Sequence, residues 1–393
     1  MSYTITTPLY YVNDKPHLGS CYTTIASDAQ ARFYRSCGEE VFFITGVDEH
    51  GQKIQRTAEA KNLSPQLHCD QISKEYLNLW KELNITYDKF VRTTSDNHKD
   101  LVSYFFTRVE KSGDIKLGRQ TGWYCVGCEE YKDIKKEDQN PKCNIHQRNL
   151  EWRDEENIFF RLSKYQKEIE ELVNRESFIY PESRRNEIIN FVSNGLKDFS
   201  ISRVDLSWGI PVPGYKGHTL YVWFDALLGY ISGSTTKDPN SSLNELDNIT
   251  HWPADLQIIG KDILRFHAVY WPAMLISAGV RIPKKIFGHG FLTREGRKMG
   301  KTLGNVLDPV DLIEFGGIDA MRWYLLRDIE FGEDGDFQIQ RYVDIVNNDL
   351  SNSMGNLLNR TISMSRKWFD NKIPNIKSST INNILIERSQ QTI

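Results

Sequence analysis

Pro16-His17-Leu18-Gly19-Ser20 is the stretch that decides how the chain reads. Ahead of it runs Tyr3-Thr4-Ile5-Thr6, whose alternation of apolar and polar residues predicts a half-buried strand. Behind it, Tyr22, Ile25, Ala29 and Phe33 recur at helical spacing, which predicts a helix over roughly 21–36. A strand, a turn with glycine and a helix N-terminus aim free backbone N–H groups and the helix dipole at one spot, which suits an anion. His17 can donate to a phosphate there, and Gly19 lets a ring approach the backbone. Taken alone, the stretch is an ordinary strand-to-helix loop that carries a histidine.

A second stretch changes its weight. Arg297-Lys298-Met299-Gly300-Lys301-Thr302 follows the strand-like Lys285-Ile286-Phe287 and forms a polar loop with glycine. Two lysines three apart on such a loop can neutralise a triphosphate whose charge moves during reaction. Gly300-Lys301-Thr302 imitates the end of a phosphate-binding P-loop, but that motif requires glycine where Glu295 stands, which excludes it.

At 393 residues the chain has room for two or more domains, and 39% hydrophobic with 12% aromatic residues can build real cores. A net charge of −3 excludes a broad basic coat, so any nucleic-acid contact must be a local patch. The longest apolar stretch, 268–280, is short of the ~20 residues of a membrane span, and no secretory signal is visible. Of six cysteines, Cys21, Cys37 and Cys69 are scattered, a usage that suits the reducing cytoplasm.

Glu40-Val41-Phe42-Phe43-Ile44-Thr45, ending at Gly46, reads as a buried parallel strand. Helical spacing follows in Ile72, Tyr76, Leu79 and Leu83, and again in Leu101, Phe105 and Val109. Leu256-Gln257-Ile258-Ile259-Gly260 is a second buried strand. The alternation predicts an α/β fold, a Rossmann-like doubly wound parallel sheet, split by a polar insertion. Inside that insertion Cys125-Val126-Gly127-Cys128 and Cys143-Asn144-Ile145-His146 make two ligand pairs, each with two residues between. Such knuckles converge on one centre, and three cysteines with one histidine suit a tetrahedral, structural zinc ion. Metal binding would supply much of the folding energy of so small a unit.

Together the first two stretches resemble the paired HIGH and KMSKS signatures of class I aminoacyl-tRNA synthetases. Further stretches narrow the resemblance to the methionyl-tRNA synthetase family across nearly the whole chain: Pro8-Leu9-Tyr10-Tyr11-Val12-Asn13, Gly46-Val47-Asp48-Glu49-His50-Gly51, Trp208-Gly209-Ile210-Pro211-Val212-Pro213, Tyr221-Val222-Trp223-Phe224-Asp225-Ala226, Gly260-Lys261-Asp262-Ile263 and Met354-Gly355-Asn356-Leu357-Leu358-Asn359-Arg360. The single CxxC…CxxH knuckle resembles the one-zinc members. Leucyl, isoleucyl and valyl enzymes share the signatures but carry an editing domain for which this insertion is too short.

The resemblance implies methionine activation by ATP to methionyl-adenylate and pyrophosphate, followed by transfer to tRNA(Met). It implies His17, Ser20, Lys298 and Lys301 as the groups that stabilise developing charge. For ATP it implies His17, Gly19, Gly260, Asp262, His289, Leu292 and Lys301, with Mg2+ arriving on the nucleotide. For methionine it implies Asp48 against the ammonium, and Leu9, Tyr11, Trp223, Ala226, Tyr230, Phe266, His267 and Trp271 around the side chain, with Tyr11 and His267 offering weak hydrogen bonds to sulfur. Asn356 and Arg360 are implied as anticodon contacts. Cys125, Cys128, Cys143 and His146 are the implied zinc ligands.

The implied organisation is 1–113 as the first half of the catalytic domain and 114–219 as the insertion, with the knuckle at 122–149. Residues 220–292 are the second half, 293–346 a stem-contact region with the lysine loop, and 347–393 the start of a helical anticodon-binding domain. A monomeric cytoplasmic enzyme with no membrane partner is expected, and a chain truncated within that last domain. Two departures stand out: Ser20 replaces the usual second histidine, and Gly300 replaces the usual serine. A catalytically silent relative would be expected to lack Asp48 or a loop lysine, and both lysines and Asp48 are present. A small nucleotidyltransferase with an HxGH turn is the other rival, and the knuckle and the anticodon-like helices speak against it.

Overall fold

A computed structural model describes residues 2–127, 129–132, 134, 138, 140–144, 147–204, 206–235, 246, 249–299 and 307–372. In chain order the elements are β1 (Tyr3–Tyr11), α1 (Leu18–Ser36), β2 (Val41–Asp48), α2 (Gln52–Ala60), α3 (Pro65–Glu82), β3 (Lys89–Arg92) and α4 (Asp96–Lys111). There follow β4 (Ile115–Cys125), β5 (Glu130–Lys132), β6 (Glu151–Phe160), α5 (Gln166–Val173), β7 (Ile179–Tyr180), α6 (Glu182–Ser193), β8 (Phe199–Ser200), β9 (Ser202–Arg203) and β10 (Thr219–Leu220). Then come α7 (Val222–Leu227), α8 (Gly229–Ser234), β11 (Leu256–Gly260), α9 (Trp271–Ser277), β12 (Ile286–His289), β13 (Leu292–Arg294), β14 (Arg297–Lys298), α10 (Pro309–Gly316), α11 (Ile318–Arg327) and β15 (Gly335–Phe337).

The main sheet is six parallel strands in the order β3-β2-β1-β11-β12-β7. The order reverses between β1 and β11, and in such sheets the crevice beyond the carboxyl ends at that point is the ligand site. Tyr11, Asp48, Gly260 and His289 are the last residues of β1, β2, β11 and β12. Four site residues from distant parts of the chain thus reach one rim.

β1 departs from its sequence reading. Its alternation predicts one wet face, yet Thr4 through Pro8 are all buried. The strand is central and covered on both sides, and its threonines are satisfied inside: the Thr7 hydroxyl donates to Thr45 Oγ1 at 2.7 Å, and Gln257 Nε2 donates to Thr6 Oγ1 at 3.3 Å. The pairing with β2 gains one extra residue on β1 between Thr6 and Leu9, a span that includes Pro8, which has no N–H for the ladder.

β4, β5, β6 and β8 form an antiparallel sheet, dominated by the ten-pair ladder from Ile115↔Phe160 to Tyr124↔Glu151. The stretch expected as a separate insertion, 114–219, nonetheless supplies β7 to the main sheet and Ile158, Phe160, Ile169 and Ile188 to the same core as Phe105, Phe224 and Trp271. Residues 1–337 form one compact unit, and a second begins at Gln338 rather than at 347. In that second unit α12 (Ile339–Ile345), a π-helical stretch (Val346–Gly355) and α13 (Asn356–Phe369) follow one another. Met354, Leu357, Leu358 and Trp368 are each more than 60% exposed. Among the described residues no helix is long and apolar enough to cross a membrane.

Candidate active site

The helix α1 starts at Leu18, earlier than its apolar spacing predicts, because His17 caps it. His17 is extended (φ −127°, ψ 171°), and its Nδ1 accepts the Gly19 N–H at 3.1 Å. An accepting Nδ1 leaves the ring proton on Nε2. A Cβ on Gly19 would lie 3.0–3.1 Å from that ring, so glycine gives the ring its room. Ser20 closes the cap: its Oγ accepts the His17 N–H at 3.0 Å and donates to the His17 carbonyl at 2.7 Å. The serine hydroxyl, implied as a group that stabilises developing charge, is here spent on the turn itself, and Ser20 is buried.

The nucleotide side of the rim follows from β11 and β12. A Cβ on Gly260 would stand 2.6 Å from Asp262 Oδ1 and 3.9 Å from the His289 ring, so the glycine lets both side chains flank one gap. Asp262 is exposed. Nδ1 of His289 sits 2.8 Å from the Gly290 carbonyl, which can only accept, so Nδ1 carries the proton and Nε2 accepts from the Thr23 hydroxyl at 2.7 Å. Burial lowers the pKa of His289 and keeps the ring neutral. Leu292 opens β13, and its pairing with Gly335 buries it. Lys298 lies on β14, paired with Thr293 across a two-residue turn of Glu295 (φ 55°) and Gly296 (φ 69°), the geometry of a tight hairpin. Lys301 lies outside the described residues, as do Cys128 and His146.

The pocket side is buried and charged. Tyr11 stands level with Asp48 in the strand register. Asp48 is 5% exposed, and among the described residues the one hydrogen bond to its carboxylate is a long 3.5 Å contact from the His50 N–H. Burial, then the charges of Asp225 and Glu129, push its pKa well above the usual carboxylate range. Asp225 has the opposite fate. Burial works against its charge, but His50 Nδ1 at 2.6 Å and His98 Nε2 at 2.7 Å hold it down to about 2. Trp208 braces the turn from outside, donating from Nε1 to the Glu49 carbonyl at 2.6 Å.

The aromatic residues implied for the side-chain pocket fall into two groups. Trp223 and Phe266 stack at 3.9 Å and 5°, while Tyr230, His267 and Trp271 make a second cluster with Trp252 and Phe105 behind it. Ala226 is buried, and Leu9 sits so near Gly229 that a Cβ there would be 2.1 Å from Leu9 Cδ1. His267 lies in a π-helical turn (Phe266–Tyr270) just before Pro272, whose missing N–H and bulky ring disfavour an ordinary α-turn there. Its Nδ1 donates to the Ile263 carbonyl at 3.0 Å, so its Nε2 accepts from the Tyr230 hydroxyl at 2.7 Å. Burial holds its pKa down to about 4. Tyr11, for its part, donates to Glu129 Oε1 at 2.7 Å. The expected hydrogen bonds from Tyr11 and His267 to a sulfur are therefore not available in this arrangement, because both groups have committed their protons elsewhere.

Two of the four expected zinc ligands are described. Cys125 ends β4, and Cys143 lies in the turn before Gln147 (φ 54°), which returns its N–H to the Cys143 carbonyl at 2.8 Å. Both thiols are buried in one small cluster with Leu150, against Trp123 and Ile134. Two soft sulfur donors brought together from separate turns fit a thiolate metal site. Among the described residues no group of three or more His, Cys, Asp or Glu is placed to hold a metal.

Sequence reasoning missed His50, His98 and Asp225 as a unit, and it missed Glu129. His50 and Asp225 lie inside quoted motifs, and their histidine and carboxylate character was the available signal. Glu129 offered none beyond following Cys128.

Comparison with known proteins agrees with this geometry. A family model described as "tRNA synthetases class I (M)" matches residues 3–137 and 132–362. The methionine–tRNA ligase of Synechocystis sp. is 56% identical over 97% of this chain and 72% of its own length. That of Nostoc sp. is 55% identical, again over 97% of this chain and 72% of its own. Among solved structures, Mycobacterium tuberculosis methionyl-tRNA synthetase in complex with methionyl-adenylate superposes with a TM-score of 0.90 at 41% identity, covering 98% of this chain and 76% of that one.

Proposed function

Because the chain belongs to the methionyl-tRNA synthetase family of class I, ligases that form aminoacyl-tRNA, we propose that its own residues divide that reaction between two sides of one crevice. It activates L-methionine with ATP and then passes the methionyl group to tRNA(Met). The observation that carries the division is Asp48: a buried carboxyl beside Tyr11, with no cation against it among the described residues, is built for an ammonium ion.

Methionine enters with its ammonium on Asp48, and the arriving cation draws that carboxyl into its charged form. Leu9, Tyr11, Trp223, Ala226, Tyr230, Phe266, His267 and Trp271 enclose the side chain, recognising the thioether by shape and by aromatic contact with a polarizable sulfur. ATP lies across the strand ends, its ribose at Asp262, its adenine bordered by His289 and Leu292, and Gly260 clearing the approach. The methionine carboxylate attacks the α-phosphate and pyrophosphate leaves. No side chain need move a proton, so catalysis is positioning and charge stabilisation. The Nε2–H of His17 and the N-terminus of α1, with Gly19 and the Ser20 cap shaping it, meet the developing charge, and Lys298 and Lys301 add two further positive charges to neutralise it. Mg2+ accompanies ATP as counter-charge. In the second step a terminal ribose hydroxyl of the tRNA attacks the aminoacyl carbonyl and loses its proton, and the bond to the phosphate breaks so that AMP leaves, while Asn356 and Arg360 read the anticodon.

Cys125, Cys128, Cys143 and His146 would hold one zinc ion, whose role would be to cross-link two turns rather than to take part in the chemistry. We place the enzyme in the cytoplasm as a monomer, with 122–149 as the metal-held knuckle and 293–346 as the stem contact. The decisive experiment is amino-acid-dependent ATP–pyrophosphate exchange. Methionine is expected to stimulate it, and stimulation by leucine but not methionine would overturn the assignment. Elemental analysis of protein purified without chelator is expected to find one zinc per chain.

A further inference from the structure

We infer that Glu129, carried on the knuckle turn after Cys128, is a positioning residue of the methionine pocket that fixes Tyr11 from across the molecule. The inference rests on the reading of Tyr11 as a wall of that pocket. Glu129 is 5% exposed and takes a left-handed backbone (φ 53°), and its side chain meets Tyr11 of β1 in the main sheet. Its Oε1 accepts both the Tyr11 hydroxyl at 2.7 Å and the Lys53 N–H at 2.9 Å. Its carbonyl accepts the Tyr221 hydroxyl at 2.6 Å, so backbone and side chain are both pinned.

The surroundings are shaped around this contact. Gly51 stands beside it at φ 117°, and a Cβ there would lie 2.5 Å from the Tyr11 hydroxyl and 2.7 Å from Glu129 Oε1. Glycine is thus needed for both conformation and space. Arg203, itself buried, sits 4.1 Å from the centre of the Tyr221 ring and supports the far side of the same junction. With its one hydroxyl proton given to Glu129, Tyr11 cannot swing without leaving a buried carboxylate short of a donor. Glu129 touches neither the phosphate turn nor the nucleotide gap in any described contact, so its influence is on the amino-acid side and acts through Tyr11.

The test is a double-mutant cycle on the full chain, with methionine Kd by equilibrium dialysis and KM and kcat by pyrophosphate exchange. Glu129→Ala is expected to raise methionine Kd and KM about tenfold, the scale of one hydrogen bond to a charged acceptor, with kcat within about twofold. Tyr11→Phe should produce a similar rise. The double variant should be no worse than the weaker single by more than about twofold, because the two changes remove one interaction. Glu129→Gln, which keeps an acceptor oxygen, should recover most of the loss. If a thermal melt shows that Glu129→Ala does not fold, Glu129→Asp, which withdraws the carboxylate by one bond, takes its place with the same expected rise. Unchanged Kd, a loss confined to kcat, or single effects that multiply would each overturn the inference. A wild-type chain inactive with methionine would instead overturn the reading on which it rests.

Discussion

At the phosphate turn His17 is held by Gly19 and Ser20, two and three residues on. In the pocket proposed for methionine Tyr11 is held by a residue 118 positions away, and nearby His50 and His98 by Asp225 at 175 and 127. The first region is exposed at its histidine and complete within five residues of chain. The second is buried and has no meaning until the whole sheet has closed. A local device can tolerate change in its neighbours, whereas a dispersed one shares its stability with the fold.

The sharpest way to break this contrast is Asp225→Ala. Removing the carboxylate strands two buried imidazoles, and the expected loss of unfolding free energy is about 3–5 kcal/mol, read by denaturant titration. The same group gives a pH signature. Its folded pKa of about 2 lies below its ordinary value of 3.8, so its contribution is complete above about pH 4 and disappears as pH falls toward 2, about 2 kcal/mol in all. A stability curve flat across that window would contradict the coupling. Lys301→Ala, on the phosphate side, is expected to leave stability and methionine Kd untouched while raising the activation barrier by about 2–4 kcal/mol, measured as kcat in pyrophosphate exchange.

Asp48 offers a middle case. Its raised pKa means that a proton competes with the ammonium, so methionine affinity should strengthen as pH rises through that pKa and then level off. Affinity that weakens over the same rise would remove Asp48 from its role. The smallest expected effect belongs to Ser20→Ala. Loss of the cap should cost about 1 kcal/mol of stability, with a modest fall in activity. A loss of activity with no change in stability would return the serine hydroxyl to direct phosphate contact.

The same contrast explains what the sequence could disclose. The strand–turn–helix of β1 and α1, and the alternation behind the parallel sheet, are set by spacing within a few residues, and they are legible as spacing. The membership of β7 in the main sheet is not, because two residues, Ile179 and Tyr180, carry no periodicity. Nor is the commitment of protons by Tyr11, Tyr230 and Ser20, since a sequence displays hydroxyls without their partners. Glu129 was hidden for both reasons: its neighbours in sequence announce a metal knuckle, and its neighbours in space belong to another sheet.

The extra residue in β1 between Thr6 and Leu9 sets a phase. Before it, Ile5 lies beside Phe43, an offset of 38; after it, Tyr11 lies beside Asp48, an offset of 37. Were the first offset kept, Tyr11 would fall beside Glu49, and Asp48 would be level with Tyr10. Strand faces alternate, so an error of one in this count inverts which side chains meet, whatever their chemistry. Point substitutions change what stands at a tick of this ruler, but only an insertion or deletion moves the ticks. The juxtaposition of Tyr11 with Asp48 is therefore a discrete property of the chain, one that gradual change in side chains cannot drift away from.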